Sequence, residues 1–111
     1  MDLSKFPQAI KEQALEIQRL SEIRDRFITE KKEEDIKIEK LVQGMDPKLC
    51  KNENQREIAR FDFRTVQYNE ILANIIEVES HLAAAKTELQ YLRDEFSIAK
   101  LELQDQIITH Y

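Results

Sequence analysis

From Tyr68 to Leu103 an apolar side chain recurs at alternating steps of three and four. The series is Tyr68, Ile71, Ile75, Val78, Leu82, Ala85, Leu89, Leu92, Phe96, Ala99 and Leu103. It runs for five heptads without a break, and Phe61 extends it toward the N-terminus. A straight helix of about 3.6 residues per turn drifts off a 3.5-residue repeat, so this strict period predicts a coiled-coil seam. Tyr68 takes position a and Ile71 position d. A second apolar line, Ile76, Ala84, Tyr91, Ile98, Leu101 and Ile108, runs along the same helix. Its ordinary meaning is a wider buried face, and its sharper meaning is a docking stripe.

The first half of the chain repeats the pattern less cleanly. Ser4 fits an N-cap, with Pro7 tolerated in the first turn. The seam there is Phe6, Ile10, Ile17, Leu20, Phe27, Ile38, Leu41 and Met45, and the same register puts Gln13, Arg24, Lys31 and Glu34 at core positions. Thr29 to Asp35 carries almost only charge. Pairs at i,i+4, namely Glu22–Arg26, Lys31–Asp35 and Glu33–Lys37, explain it as a solvated helical face. A hinge is the competing reading.

Gly44 fits the left-handed residue that ends a helix. Asp46-Pro47 then suits a short helical turn, Pro47 to Cys50, and Asn52 with Gln55, or Asn54 with Glu57, has capping-box spacing. The expected fold is therefore all-α, one domain over 1–111. It is a long antiparallel two-helix coiled-coil hairpin with helix 1 over about 5–43, a turn at 44–52 and helix 2 over about 53–109. Counting outward from the turn places Phe6 in the neighbourhood of Leu92. That leaves an overhang of roughly 18 residues, about 27 Å. It holds Phe96, Ile98, Ala99, Leu101, Leu103, Ile107 and Ile108. So much apolar surface predicts self-association into an oligomeric bundle, or a protein partner on the C-terminal part of helix 2.

The flanking charges bear on orientation. Lys86, Arg93 and Lys100 fall at e, and Glu88, Glu95 and Glu102 at g. A parallel homodimer sets Glu88 against the partner's Arg93 and Glu95 against the partner's Lys100. The expected oligomer interface is thus Leu82, Ala85, Leu89, Leu92, Phe96, Ala99 and Leu103 with those charges, a dimer being favoured. Alanine at d suits close helix approach or a third helix equally well.

Composition supports long helices: one Gly, two Pro, 35% charged and 41% hydrophobic residues among 111. The formal net charge of −5 disfavours general binding to phosphate backbones. Lys51, Arg56, Arg60 and Arg64 near the turn are still a candidate nucleic-acid contact, with Arg56, Arg60 and Arg64 on one helical face. Phe61 and Phe63 stand beside them, Phe61 reading better as core. One cysteine, Cys50, precludes an intrachain disulfide and a cysteine zinc site. The first residues lack the pattern of a signal peptide, and the apolar runs are too short to cross a bilayer. The expectation is a cytoplasmic protein without a membrane contact.

Candidate chemistry is sparse. A single Gly makes no phosphate loop. His81 has Glu77 one turn before it, which is too few ligands for a metal, and His110 sits in a terminus expected to fray. Lys48 and Lys51 near Cys50 favour a thiolate, yet no histidine is near enough to serve it. A two-helix rod offers no cleft that excludes water. No enzyme activity, metal or cofactor is expected.

Asn52-Glu53-Asn54-Gln55-Arg56 and the run from Leu92 to Leu103 (LRDEFSIAKLEL) resemble small uncharacterised coiled-coil proteins of cyanobacterial and phage genomes. The likeness covers helix 2, about half the chain. Some proteins of this kind accompany DNA-recombination or single-strand-binding genes. The resemblance implies a bacterial or phage setting. It brings a second function class beside the interaction or scaffold module: an accessory protein in DNA recombination that touches nucleic acid, or a DNA-bound partner, through the basic tip.

Overall fold

The computed structural model describes residues 3–109, with side chains through residue 107. Among the described residues the regular elements are all helical: α1 (Lys5–Gln43), α2 (Glu53–Asp62) and α3 (Val66–Thr109). The all-α class follows from the scarcity of Gly and Pro. The two-helix expectation does not hold, because the helix expected over about 53–109 is broken at residues 63–65.

The break is made by capping chemistry. Phe63 closes α2 at φ −84°, ψ −2°, and its N–H reaches the Ala59 carbonyl at 3.0 Å. The next bond tightens to three residues, from Arg64 N to the Phe61 carbonyl at 3.1 Å. Thr65 then restarts the chain as an N-cap, its Oγ1 accepting from the Tyr68 N–H at 3.1 Å. The interruption changes the helical phase. Phe61, expected in the seam, is 67% exposed, while Ala59 is buried in its place.

The other ends are local too. Asn52 caps α2 as expected, accepting from the Gln55 N–H at 2.9 Å, and Gln55 Oε1 accepts from the Lys51 N–H at 2.6 Å. Gly44 has no positive φ. Instead α1 ends by tightening, from Gly44 N to the Lys40 carbonyl (3.1 Å) and then Met45 N to the Val42 carbonyl (3.1 Å). Asp46 holds a turn, not a helix, at 47–49, accepting from Lys48 N on Oδ1 (2.9 Å) and from Leu49 N on its carbonyl (2.8 Å).

The chain divides into two compact units, Met1–Glu22 with Glu79–Tyr111, and Ile23–Val78. In the first, α1 and α3 run antiparallel: Phe6 stacks on Phe96 with ring centroids 5.4 Å apart, and Gln13 lies beside Ala85. Leu20, Leu82, Ala85 and Ala99 are buried there. Gln13 occupies its core position by donating from Nε2 to the Ala85 carbonyl at 3.0 Å, so this lapse in the apolar pattern leaves no orphaned amide. Phe6 meets α3 one turn beyond the expected Leu92. The overhang is shorter for that reason: Phe96 is half-buried and Ala99 is 4% exposed.

In the second unit Ile38, Val42, Ala59 and Tyr68 form the core, with Met45, Cys50, Phe63 and Leu72 packed on it. Val42 takes the place expected for Leu41, which is 52% exposed. The charged middle of α1 is helical throughout and is knitted by local pairs. Lys31 Nζ sits 2.9 Å from Asp35, as expected, whereas Lys37 reaches Glu34 at 3.0 Å, not Glu33.

Candidate interaction surfaces

Two surfaces collect the residues singled out by the sequence. The first is the tip of the second unit. Arg60 stands between two carboxylates, Nε to Glu39 at 2.9 Å and Nη1 to Glu53 at 2.7 Å. Those hydrogen bonds push the guanidinium pKa above its ordinary value, and the bond from Arg60 holds Glu53 below the usual carboxylate range. Arg56 leans on the same Glu53 at 3.4 Å. Arg64 is not on α2 at all, since the break separates it from Arg56 and Arg60. Its guanidinium lies over the Phe61 and Tyr68 rings, 5.3 and 5.1 Å from their centroids. The three arginines expected to line one face therefore have in-chain partners, and Lys51 is exposed.

Next to this network a cleft of about 330 Å³ is lined by Glu39, Val42, Gln43, Met45, Pro47, Cys50, Arg56 and Arg60. Cys50 is half-buried and packs on the core. A further group joins α1 to α3: Tyr68 OH donates to Asp35 Oδ1 at 2.7 Å, while Lys31 holds Oδ2. Burial raises the Tyr68 pKa, reinforced by that bond. Burial also pushes Asp35 up, but the bonds from Lys31 and Tyr68 outweigh it and hold the carboxyl below its usual range. Spacing marks Tyr68 as a seam residue, and its acid partner on α1 is not legible from spacing.

The second surface is the C-terminal half of α3, in the first unit. Of the expected interface residues, Leu82 (3% exposed), Ala85 and Ala99 are already covered within the chain. Leu89, Leu92 and Phe96 are half-buried, and Leu103 is 43% exposed. Lys86, Glu88, Arg93 and Lys100 are exposed and Glu95 half-buried. Lys100 Nζ lies 4.2 Å from the Phe96 ring centroid. The core seam thus serves α1 as far as Ala99, and the other line stands open. Tyr91 is 56%, Ile98 50% and Leu101 61% exposed, with Ala84 exposed on the same side. Ile108, which continues that line, lies outside the described side chains, and His110 outside the described residues.

No group of His, Cys, Asp and Glu among the described residues is placed to hold a metal ion, and His81 is exposed on α3. No helix among the described residues is long and apolar enough to cross a membrane. Comparison with protein-family models, with curated proteins and with solved structures finds no match for the chain.

Proposed function

We propose that this chain is a non-enzymatic helical interaction or scaffold module whose working surface is the outer face of the C-terminal half of α3. One observation carries the reading. The line Tyr91, Ile98, Leu101 stands half or more exposed, while Leu82, Ala85 and Ala99 on the opposite side of the same helix are buried within the chain. A helix with apolar residues on both sides is stable in water when both sides have neighbours. The 3,4 spacing of the outer line suits another helix laid along it in coiled-coil fashion. Self-association through the seam of Leu82, Ala85 and Ala99, the sequence-based expectation, would compete with α1 for those residues; the outer line has no such competitor among the described residues.

A photoreactive benzophenone side chain at Tyr91, activated in the native cells, tests this. A discrete cross-linked adduct that Leu101→Asp removes is the expected result, and its mass tells a second copy from a different protein. No adduct, or one indifferent to Leu101→Asp, refutes the reading.

A further inference from the structure

The junction of α2 and α3 lies wholly within the second unit, and its backbone does not enforce it. Phe63-Arg64-Thr65 holds no Gly or Pro, and none of the three has a positive φ. Phe63, at φ −84° and ψ −2°, is a small step from helical values. Local contacts keep the break. Thr65 Oγ1 accepts from the Tyr68 N–H, Phe63 packs on the core, and Arg60 of α2 is tied to Glu39 of α1 at 2.9 Å. The break also leaves work undone. Val66 and Gln67 open α3, so their N–H groups lack an intrahelical carbonyl, and the last carbonyls of α2 lack a donor. Helical residues through 63–65 would pair the two sets.

The side of α2 turned outward is the side that continues the α3 seam. Ile58 is 63% and Phe61 67% exposed, and with Asn54 and Glu57 they line an open groove of about 540 Å³. Seven residues turn a helix through about 700°, so in an unbroken helix Phe61 lies within about 20° of Tyr68. Tyr68 meets Asp35 of α1. For antiparallel helices paired there, seven residues back on one meets seven residues on along the other, which is Val42. Val42 is 5% exposed and now shares its core with Ala59. Breaking or joining the helix therefore decides which residue of α2, Ala59 or Phe61, is set over Val42.

We infer that residues 63–65 are a conformational switch between the broken state described above and a continuous state in which α2 prolongs α3 and Phe61 replaces Ala59 over Val42. The broken state presents Phe61 and Ile58 to solvent and sets Arg56 and Arg60 on the cleft beside Cys50. The continuous state withdraws Phe61 and takes both arginines from that cleft. A ligand that prefers either surface shifts the balance by its differential affinity. The switch goes beyond the docking reading of α3 and stands without it.

The test is a distance measurement on the full chain. Spin labels go on Asn54→Cys and Asn74→Cys, both exposed positions, in a Cys50→Ala background, and double electron–electron resonance reads their separation. A continuous helix sets the two sites about 30 Å apart, and a broken one brings them closer. Two substitutions push the switch in opposite directions. Val66→Pro sits at the first helical position of α3, where proline is tolerated, at a side chain 76% exposed. It removes the N–H that a continuous helix needs and its ring clashes with the Asp62 carbonyl. Thr65→Ala removes the cap that favours the break. The expected result is a component near 30 Å that Val66→Pro abolishes and Thr65→Ala raises about fivefold relative to the shorter one. Distance distributions that are alike in the parent and both variants overturn the switch, as does a component near 30 Å that survives Val66→Pro.

Discussion

Tyr68 and Asp35 offer the sharpest test of how the second unit is held together. The Tyr68 ring is 4% exposed, and its hydroxyl donates to Asp35 Oδ1 at 2.7 Å. A hydrogen bond to a charged acceptor contributes about 1.5–3 kcal/mol. The Asp35 side chain is 42% exposed, so water competes for the carboxylate and the value falls to about 1–2 kcal/mol. Tyr68→Phe keeps the ring packed and removes only the hydroxyl. Asp35 then retains Lys31 at 2.9 Å and gains water. Asp35→Ala is the harsher change, because it leaves the Tyr68 hydroxyl buried without its acceptor. Combining the two substitutions in a double-mutant cycle isolates the shared bond. Urea unfolding of the four proteins at pH 7, followed by far-ultraviolet circular dichroism, should give a coupling of about 1–2 kcal/mol, five- to thirtyfold in the folding equilibrium. A coupling under about 0.5 kcal/mol with unchanged m values refutes the argument that this bond ties α1 to α3.

The same pair should mark both ends of the pH profile. Asp35 is held below the usual carboxylate range, so its contribution is complete above about pH 4 and is lost as pH falls through the lower folded value. Asp35→Asn should flatten the acid limb of urea midpoints below about pH 4. Tyr68 is raised, so its contribution is present below about pH 10 and lost as pH rises through the higher folded value, a loss Tyr68→Phe should remove from the alkaline limb. Leu82→Ala, at a side chain 3% exposed, should cost about 2–4 kcal/mol in the same assay. Thr65→Ala removes the acceptor for the Tyr68 N–H and should cost about 1 kcal/mol.

What the sequence made legible was the side of each helix that faces the core. Ile71, Val78, Leu82, Ala85 and Ala99 were placed by periodicity alone and are buried. Asn52 was legible as a cap for the same reason that it works, an amide oxygen three residues before a backbone donor. The break at 63–65 was not, because Phe63-Arg64-Thr65 contains neither Gly nor Pro. The available signal was the Thr65 hydroxyl, and a threonine inside a helical pattern is ordinary. Missing it carried the seam one step too far, to Phe61. The same limit applies to Gln13. Periodicity marked it as a flaw in the core, whereas a carbonyl on the facing helix satisfies it, and no spacing within α1 reports on that carbonyl.

The charges of α3 show how one pattern of flanking residues suits two neighbours. Glu88, Glu95 and Glu102 border two apolar lines at once, since a helix is only 360° around and each line takes about a third of it. Set beside the core seam, they predict a parallel dimer with Lys86, Arg93 and Lys100. With α1 on that seam, as Phe6 on Phe96 and Gln13 on Ala85 show, the same glutamates also border the exposed outer line.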